Sequence, residues 1–166
     1  MEASFIPDVG LTKAERYEHF TREFALFIRD ERREVSVLAN AAAALHEAFR
    51  FFWTGFYLAD SEEWLALGPF QGSPACWRIR RGKGVCGTAW AERCTQVVLD
   101  VDRFPGHIAC SSLSRSEIVV PLIDRQGAFH GVLDIDSDRI AAFDETDRLW
   151  LERICRLISD EIYRDE

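Results

Sequence analysis

Apolar residues recur at helical spacing in three stretches of the chain. Thr12 to Glu15 fits a capping box, which predicts a helix that begins near residue 13. A second helix is predicted from about Glu34 to Phe49, and a third after Asp144, a good N-cap residue. The apolar stripes are Tyr17, Phe20, Phe24, Phe27 and Ile28 in the first, Leu38, Ala42, Leu45 and Phe49 in the second, and Leu151, Ile154, Ile158 and Ile162 in the third.

Between these helices the pattern changes to short apolar runs that Gly and Pro residues separate, which is typical of strands. Runs at 52–59, 64–70 and 75–80 predict three strands, and residues 84–92 predict a short helix. Residues 103–115 have no clear period and predict a long loop. The two clearest strands are 116–123 and 128–137, joined by a turn at 124–127. Helices at both ends of an antiparallel meander predict an α+β sandwich.

The last two predicted strands carry three carboxylates. If the hairpin closes symmetrically around Arg125 and Gln126, Glu117 lies opposite Asp134, and Asp136 lies on the same face two residues further on. Pro121 could shift this register by forcing a bulge. The opposite face is predicted to be the core side and carries Ile118, Val120, Leu122, Phe129, Leu133 and Ile135.

Like charges that face each other destabilise a sheet, so folding alone does not favour this cluster. One explanation is a raised pKa on one carboxyl group, which would make it a proton donor. A second is a bound cation, either a metal ion or an ammonium group. A third is a solvated outer face, where acidic residues are common. Periodicity does not distinguish the three.

Composition narrows the class of protein. The 166 residues are 48% hydrophobic and carry a net charge of −8, which argues against nucleic acid or an anionic membrane as partner. The start of the chain does not resemble a signal peptide, and the longest nearly apolar run, 51–59, is too short to span a bilayer. We therefore expect a cytoplasmic protein. Its five cysteines are an odd number in a reducing compartment, which argues against a disulfide scaffold.

The cysteines differ in their predicted surroundings. Cys110 lies in the irregular loop before the acidic strand, where a thiol is more exposed and reactive. Cys86 follows Lys83 near a helix start, where the dipole and the cation would stabilise a thiolate. Cys155 is predicted in the core and Cys94 in a structural role at a helix end. A zinc site is not expected, because there is no CxxC motif and the four histidines lack ligand spacing.

Six segments taken together resemble the free methionine-(R)-sulfoxide reductases, which are stand-alone GAF domains. They are LGPFQG (67–72), PAC (74–76), GKGVCGTA (82–89), FPGHIAC (104–110), SEIVVP (116–121) and GVLDIDS (131–137). The resemblance implies one GAF domain over residues 1–166. In that fold the N- and C-terminal helices pack on one face of a central antiparallel sheet, and the active-site pocket lies on the other.

The resemblance also implies roles for individual residues. Cys110 matches the attacking cysteine, Cys76 the resolving cysteine, and Cys86 a third cysteine that joins or relays the disulfide. The sequence leaves open whether Cys76 or Cys86 is the main resolving cysteine in this protein. Glu117, Asp134 and Asp136 match carboxylates that hold the substrate and activate the sulfoxide. Trp53 and Tyr57 match the aromatic residues that enclose the thioether. Ser111 stands where the family often has an acidic residue, and Cys94 and Cys155 are additional to the family's three cysteines.

The implied activity is reduction of free L-methionine-(R)-sulfoxide in the repair of oxidative damage. A sulfenic acid and a disulfide are intermediates, thioredoxin is the reductant, and no metal or organic cofactor is needed. The family also suggests a homodimer. Two alternatives remain at the level of sequence: a GAF domain that senses a small molecule without turnover, and a redox sensor that uses the same cysteines.

Overall fold

The structure, a computed structural model, describes residues 5–164, and this part of the chain contains four α-helices and six β-strands. The single-domain expectation for 1–166 and the interpretation of the first residues therefore extend to termini outside the described residues. The helices are α1 (Lys13–Phe27), α2 (Glu34–Phe49), α3 (Gly84–Glu92) and α4 (Glu145–Ile162). The strands are β1 (Trp53–Ala59), β2 (Trp64–Gln71), β3 (Arg78–Arg80), β4 (Gln96–Val98), β5 (Ser116–Ile123) and β6 (Phe129–Ser137).

Helices α1 and α4 begin directly after the capping residues predicted for them. Thr12 and Glu15 make the predicted capping box at the start of α1. Asp144 caps α4 by accepting hydrogen bonds from the backbone N–H groups of Thr146 and Asp147. Along the predicted stripes Phe27 is exposed and Phe49 is partly buried, while the other residues are buried. Within residues 5–164 no helix has both the length and the apolar character needed to cross a membrane.

The sheet is antiparallel throughout, with the strand order β3-β2-β1-β6-β5-β4. One face packs against α1, α2 and α4 in a large apolar core, which includes Phe56, Ile118 and Leu133. The other face packs against α3 through a smaller apolar cluster, which includes Trp90 and Val119. The predicted α+β architecture is therefore confirmed. The terminal helices lie on one side of the sheet, and α3 covers only part of the other side.

Three local predictions need correction. Only Arg78–Arg80 of the predicted strand at 75–80 is a strand, because the residues before it are held as a loop that the disulfide of Cys76 anchors. The short strand β4, paired with β5, is not predicted from its sequence. A 3-10 turn at Val101–Arg103 is also missed. Three-residue elements are too short to show a hydrophobic period.

The predicted register of the β5–β6 hairpin is wrong by two residues. Glu117 faces Asp136, and Asp134 faces Val119. The turn closes between Asp124 and Ala128, whose backbone N–H···O distance is 3.0 Å, and the register then shifts between Leu122 and Ile123 rather than at Pro121. Because side chains alternate with a period of two, a two-residue shift leaves all three carboxylates on one face.

The register shift does move Phe129 to the other face. β6 advances two residues, from Phe129 to Gly131, while β5 advances only one, which makes His130 the extra residue of a bulge. The extra residue places the side chains that precede it in β6 on the opposite face of the sheet from the one that strict alternation predicts. Phe129 therefore stacks on Trp90, with ring centroids 5.2 Å apart, rather than joining the helix-side core as predicted.

Candidate active site

A cavity lies on the sheet face opposite the terminal helices. Strands β1, β5 and β6 supply one wall, the start of α3 a second, and the loops at 73–75 and 107–114 the rim. Seven of the eight residues predicted for the site line this cavity: Trp53, Tyr57, Cys86, Cys110, Glu117, Asp134 and Asp136. The eighth, Cys76, is bonded to the lining residue Cys110.

The three carboxyl groups converge because neighbouring strands carry them in register. Glu117 and Asp136 are directly opposite on β5 and β6, and Asp134 is one pleat further along β6 on the same face. Glu117 and Asp134 are each only 6% exposed, so a solvated outer face is excluded for them. Of the three explanations given by the sequence, the raised pKa and the bound cation remain.

Burial raises the pKa of all three carboxyl groups well above the ordinary range. For Glu117 the second cause is the charge of Asp136, for Asp134 it is Glu117, and for Asp136 it is Asp134. No lysine or arginine is among the described residues that line the cavity to offset these charges. The site therefore favours protonated carboxyl groups, or a cationic ligand, over a cluster of bare carboxylates.

His107 lines the cavity but is not among the site residues predicted from the sequence. Its Nε2 atom lies 3.3 Å from Oε2 of Glu117, and both side chains are largely buried. Burial lowers the pKa of His107 while it raises the pKa of Glu117, so both shifts favour neutral partners over an ion pair. A histidine in a loop without ligand spacing gives no local signal for such a contact.

Ser114 is a second missed residue. It is buried, lines the cavity, and hydrogen-bonds to Asp136, which opposes the rise in the pKa of that carboxyl group. Serine is common in loops, so its position in the sequence does not separate it from its neighbours Ser111 and Ser112.

Cys76 and Cys110 form a disulfide, with their Cα atoms 5.4 Å apart and 34 residues apart in sequence. Cys110 is exposed, as its loop position predicts, and Cys76 is half-buried. The bond ties the loop before β3 to the loop before β5, so it forms part of the cavity rim. The sequence left open whether Cys76 or Cys86 pairs with Cys110, and the structure contains the first pairing.

Cys86 does not have the surroundings that its sequence position suggests. It is a free thiol, 2% exposed, at the third position of α3. Burial, followed by the charges of Asp134, Glu117 and Asp136, raises the pKa of Cys86 well above its usual value. The prediction of a stabilised thiolate is therefore wrong, because the side chain faces the carboxyl groups and not the exposed Lys83.

Cys86, Glu117 and Asp134 could each offer one ligand atom to a metal ion, since these atoms lie within 4.8 Å of one another. This grouping was not predicted from the sequence, because its members come from α3, β5 and β6.

Cys155 is buried in the helix-side core, as predicted, and its burial raises the pKa of its thiol. Cys94 is a free, exposed thiol at the end of α3.

Trp53 and Tyr57 form an aromatic wall of the cavity. Their rings stack with centroids 6.2 Å apart, and Phe70 backs the indole at 5.4 Å. The indole N–H donates to the Ser73 carbonyl at 2.9 Å, and the Tyr57 hydroxyl donates to the Cys76 carbonyl at 3.0 Å. These two hydrogen bonds connect the wall to the loop that carries Cys76.

The arrangement combines three chemical capabilities. The disulfide sulfur of Cys110 is at the rim, the floor offers carboxyl protons or a counter-charge for a cation, and the aromatic wall accepts an apolar group. A small polar molecule with a reducible centre, a cationic group and an apolar end would match all three.

The family model described as "GAF domain" matches residues 24–162. The chain is 52% identical over 149 residues to "GAF domain-containing protein A" of Dictyostelium discoideum, covering 90% of this chain and 94% of that protein. It is 46% identical over 129 residues to "Free methionine-R-sulfoxide reductase" of Saccharomyces cerevisiae, covering 74% and 72%.

By fold and family match, this chain belongs to the GAF domain family. Within that family it is similar to proteins named free methionine-R-sulfoxide reductase. The solved structure of such a reductase from Neisseria meningitidis, in complex with its substrate, has a TM-score of 0.91 and 49% identity, and the match covers 97% of this chain and 95% of that one.

Proposed function

We propose that this protein reduces free L-methionine-(R)-sulfoxide to methionine. The observation that carries the proposal is that Cys110 and three carboxyl groups with raised pKa values line one cavity. The reductases from Saccharomyces cerevisiae and Neisseria meningitidis, which resemble the chain over most of its length, support it.

In the proposed reaction a sulfoxide oxygen accepts a proton from Glu117 or Asp136, which makes the sulfur electrophilic. The Cys110 thiolate attacks the activated sulfoxide, and the hydroxyl oxygen passes to the Cys110 sulfur as its bond to the substrate sulfur breaks. Methionine leaves, and Cys110 is then a sulfenic acid. Cys76 then condenses with the sulfenic acid, which releases water and forms the Cys76–Cys110 disulfide. An external dithiol, thioredoxin, returns two electrons and two protons by disulfide exchange.

The remaining side chains bind and orient the substrate in this proposal. Asp134 pairs with the α-ammonium group, and the Trp53–Tyr57 wall encloses the methyl end. The buried thiol of Cys86 serves as the third cysteine, which joins or relays the disulfide. A methionine inside a peptide lacks the ammonium group, so the free amino acid is the expected substrate. The chemistry uses no metal or organic cofactor.

The test is a thioredoxin-coupled assay on the resolved sulfoxide diastereomers, with the free amino acid compared with its N-acetyl form. We expect turnover of the free (R)-isomer alone, with loss of at least about 10³-fold in Cys110→Ser. Cys94→Ser, which removes an exposed free thiol, is the matched control and should keep full activity. Full activity of Cys110→Ser would refute the mechanism, and equal rates on the N-acetyl form would refute ammonium recognition.

The same experiment separates the proposal from a GAF sensor. Tight binding of a small ligand with no product would support the sensor, and peroxide-induced disulfide formation without any methionine product would support a redox sensor. We further propose a cytoplasmic location, and a homodimer, as the family resemblance implies. Sedimentation velocity measures the oligomeric state directly.

A further inference from the structure

The Cys76–Cys110 disulfide is accessible at the surface and is flanked by exposed apolar side chains. Trp77, next to Cys76, is 83% exposed, and Leu113, three residues after Cys110, is 62% exposed. Ile108 is 37% exposed, two residues before Cys110. We call Trp77, Ile108 and Leu113 the disulfide rim. Large apolar side chains at this exposure mark an interaction surface when they occur together.

The geometry keeps the rim close to the sulfurs. A chain advances at most about 3.6 Å per residue, so each rim Cα lies within about 11 Å of the Cα of the neighbouring disulfide cysteine. The backbone of Trp77 is held in place, because its carbonyl accepts a hydrogen bond from the Leu67 N–H at 3.0 Å. The indole therefore projects into solvent from a fixed backbone, which lowers the entropy lost when a partner covers it.

The charges around the rim favour approach by an acidic protein. Segments 64–91 and 103–116 hold both disulfide cysteines and the whole rim. They contain six lysine or arginine residues and no aspartate or glutamate, although the chain as a whole is at −8. Several of these arginines pair with acids outside the segments, as Arg80 does with Glu63 and Arg115 with Asp102. The two segments that hold the disulfide are thus less acidic than the chain as a whole, so they repel an acidic partner less than the net charge of −8 suggests.

We propose that the disulfide rim is the docking surface for the protein dithiol that reduces Cys76–Cys110, with the Trp77 indole as its principal anchor. The inference rests on the proposed function for the need to reduce this bond. The partner it fits has an apolar surface around its nucleophilic thiol and a neutral or acidic margin. Tryptophan is enriched among the interface residues that contribute most to binding.

Reduction of the disulfide takes two electrons from the partner's dithiol. The partner's thiolate attacks one sulfur of the Cys76–Cys110 bond, which breaks that bond and forms a mixed disulfide between the two proteins. The partner's second thiol then attacks the mixed disulfide. The partner dissociates as a disulfide. Cys76 and Cys110 are then thiols, which carry the two protons that the partner's thiols gave up.

The test measures reduction of the oxidised protein directly, without sulfoxide. Reduced thioredoxin or dithiothreitol is mixed with the protein, free thiols are alkylated at timed intervals, and the alkylated species are quantified by mass. We expect Trp77→Ala to lower the second-order rate constant with thioredoxin at least about fivefold, the factor that corresponds to about 1 kcal/mol. Leu113→Ser should also lower the rate constant with thioredoxin. Neither variant should change the rate with dithiothreitol by more than about twofold, because a small dithiol needs no docking surface.

Leu149→Ser is the matched control, since Leu149 is a 45% exposed leucine on α4, the helix on the far face of the sheet. Its rates with both reductants should equal those of the unmodified protein. Equal thioredoxin rates for Trp77→Ala and Leu149→Ser would overturn the docking proposal. A rim that instead joins two copies of this chain would show as dissociation of a dimer by Trp77→Ala, which would also overturn it. Absence of sulfoxide turnover with normal reduction kinetics would refute the proposed function alone.

Discussion

The fold buries the carboxyl groups of Glu117 and Asp134 and partly buries that of Asp136, and no lysine or arginine lies beside them in the described lining of the cavity. Such groups bind a proton more tightly in the folded chain than in the unfolded chain, because burial and their neighbours disfavour the charged form. The raised pKa values on which their proposed role as proton donors depends therefore work against stability at neutral pH. Both consequences are measurable at single residues.

Glu117→Gln should lower kcat for sulfoxide reduction by about 10²–10⁴-fold, the usual contribution of a general acid. Because the active form of Glu117 is protonated, kcat of the unmodified protein should fall as pH rises through its raised folded-state pKa. A pH profile of single-turnover rates measures both effects. Glu92→Gln, on the exposed end of α3, should leave the profile unchanged. An unaltered rate in Glu117→Gln would exclude Glu117 as the proton donor and leave Asp136 as the donor in the proposed reaction.

The stability of Glu117→Gln should change in the opposite direction to its activity. A folded-state pKa raised above the ordinary value of 4.5 gives a contribution that is fully present below pH 4.5 and is lost as pH rises through the folded pKa. At pH 8 the neutral amide should therefore increase the free energy of unfolding by at least about 1 kcal/mol relative to Glu117. Urea denaturation at pH 5 and pH 8 tests this, and a gain confined to pH 5 would contradict it.

At the scale of elements, the aromatic wall depends on close packing around the Trp53 indole. A Cβ atom on Gly55 would lie 2.5 Å from the Trp53 ring, and one on Gly72 would lie 2.5 Å from its Cδ1 atom. Gly55 lies in β1 and Gly72 directly follows β2. The backbones of β1 and of the end of β2 therefore hold the indole ring in position together. Gly72 also has φ +128°, a backbone conformation that residues with a side chain rarely adopt.

Gly72→Ala should raise the KM for the sulfoxide at least about tenfold and lower the free energy of unfolding, because its Cβ displaces the indole. Gly127→Ala is the control, since Gly127 has φ +85° but a Cβ atom added there would meet nothing within 4 Å. It should cost about 1–2 kcal/mol of stability through backbone strain with no change in KM. Steady-state kinetics and thermal denaturation of both variants separate strain from displacement, and matching KM values would disprove the positional role of the glycine.

At the scale of the whole molecule, the sheet separates stability from chemistry. The helix face buries Tyr17, whose hydroxyl donates to Asp147 at 2.8 Å, and Lys13 contacts the same carboxylate at 2.7 Å. This network joins α1 to α4. None of these three residues lines the cavity on the opposite face.

Tyr17→Phe should lower the free energy of unfolding by about 1–3 kcal/mol, because it leaves a buried carboxylate oxygen without its donor. KM and kcat should not change. Arg22→Ala, an exposed change on the same helix, is the control and should alter stability by less than about 0.5 kcal/mol. Chemical denaturation with parallel kinetics checks the pair, and a changed KM in Tyr17→Phe would show that the two faces are coupled.

The chain itself determined the elements whose signals are local. The capping residues Thr12 and Asp144, the apolar stripes of three helices and the alternation of the last two strands predicted the α+β architecture. Alternation also placed the three carboxyl groups on one face, because the period of two survives an even error in register. The role of each site residue came from resemblance to a family.

Only the tertiary structure decided how distant segments meet. The extra residue at His130 set the register and turned Phe129 to the α3 side. The approach of α3 to the acidic strands raised the pKa of Cys86 where its own helix end predicted the reverse. The contact of His107 with Glu117 and the pairing of Cys76 with Cys110 join residues from separate loops. Burial and through-space charge depend on neighbours that are distant along the chain, and a local pattern carries no information about them.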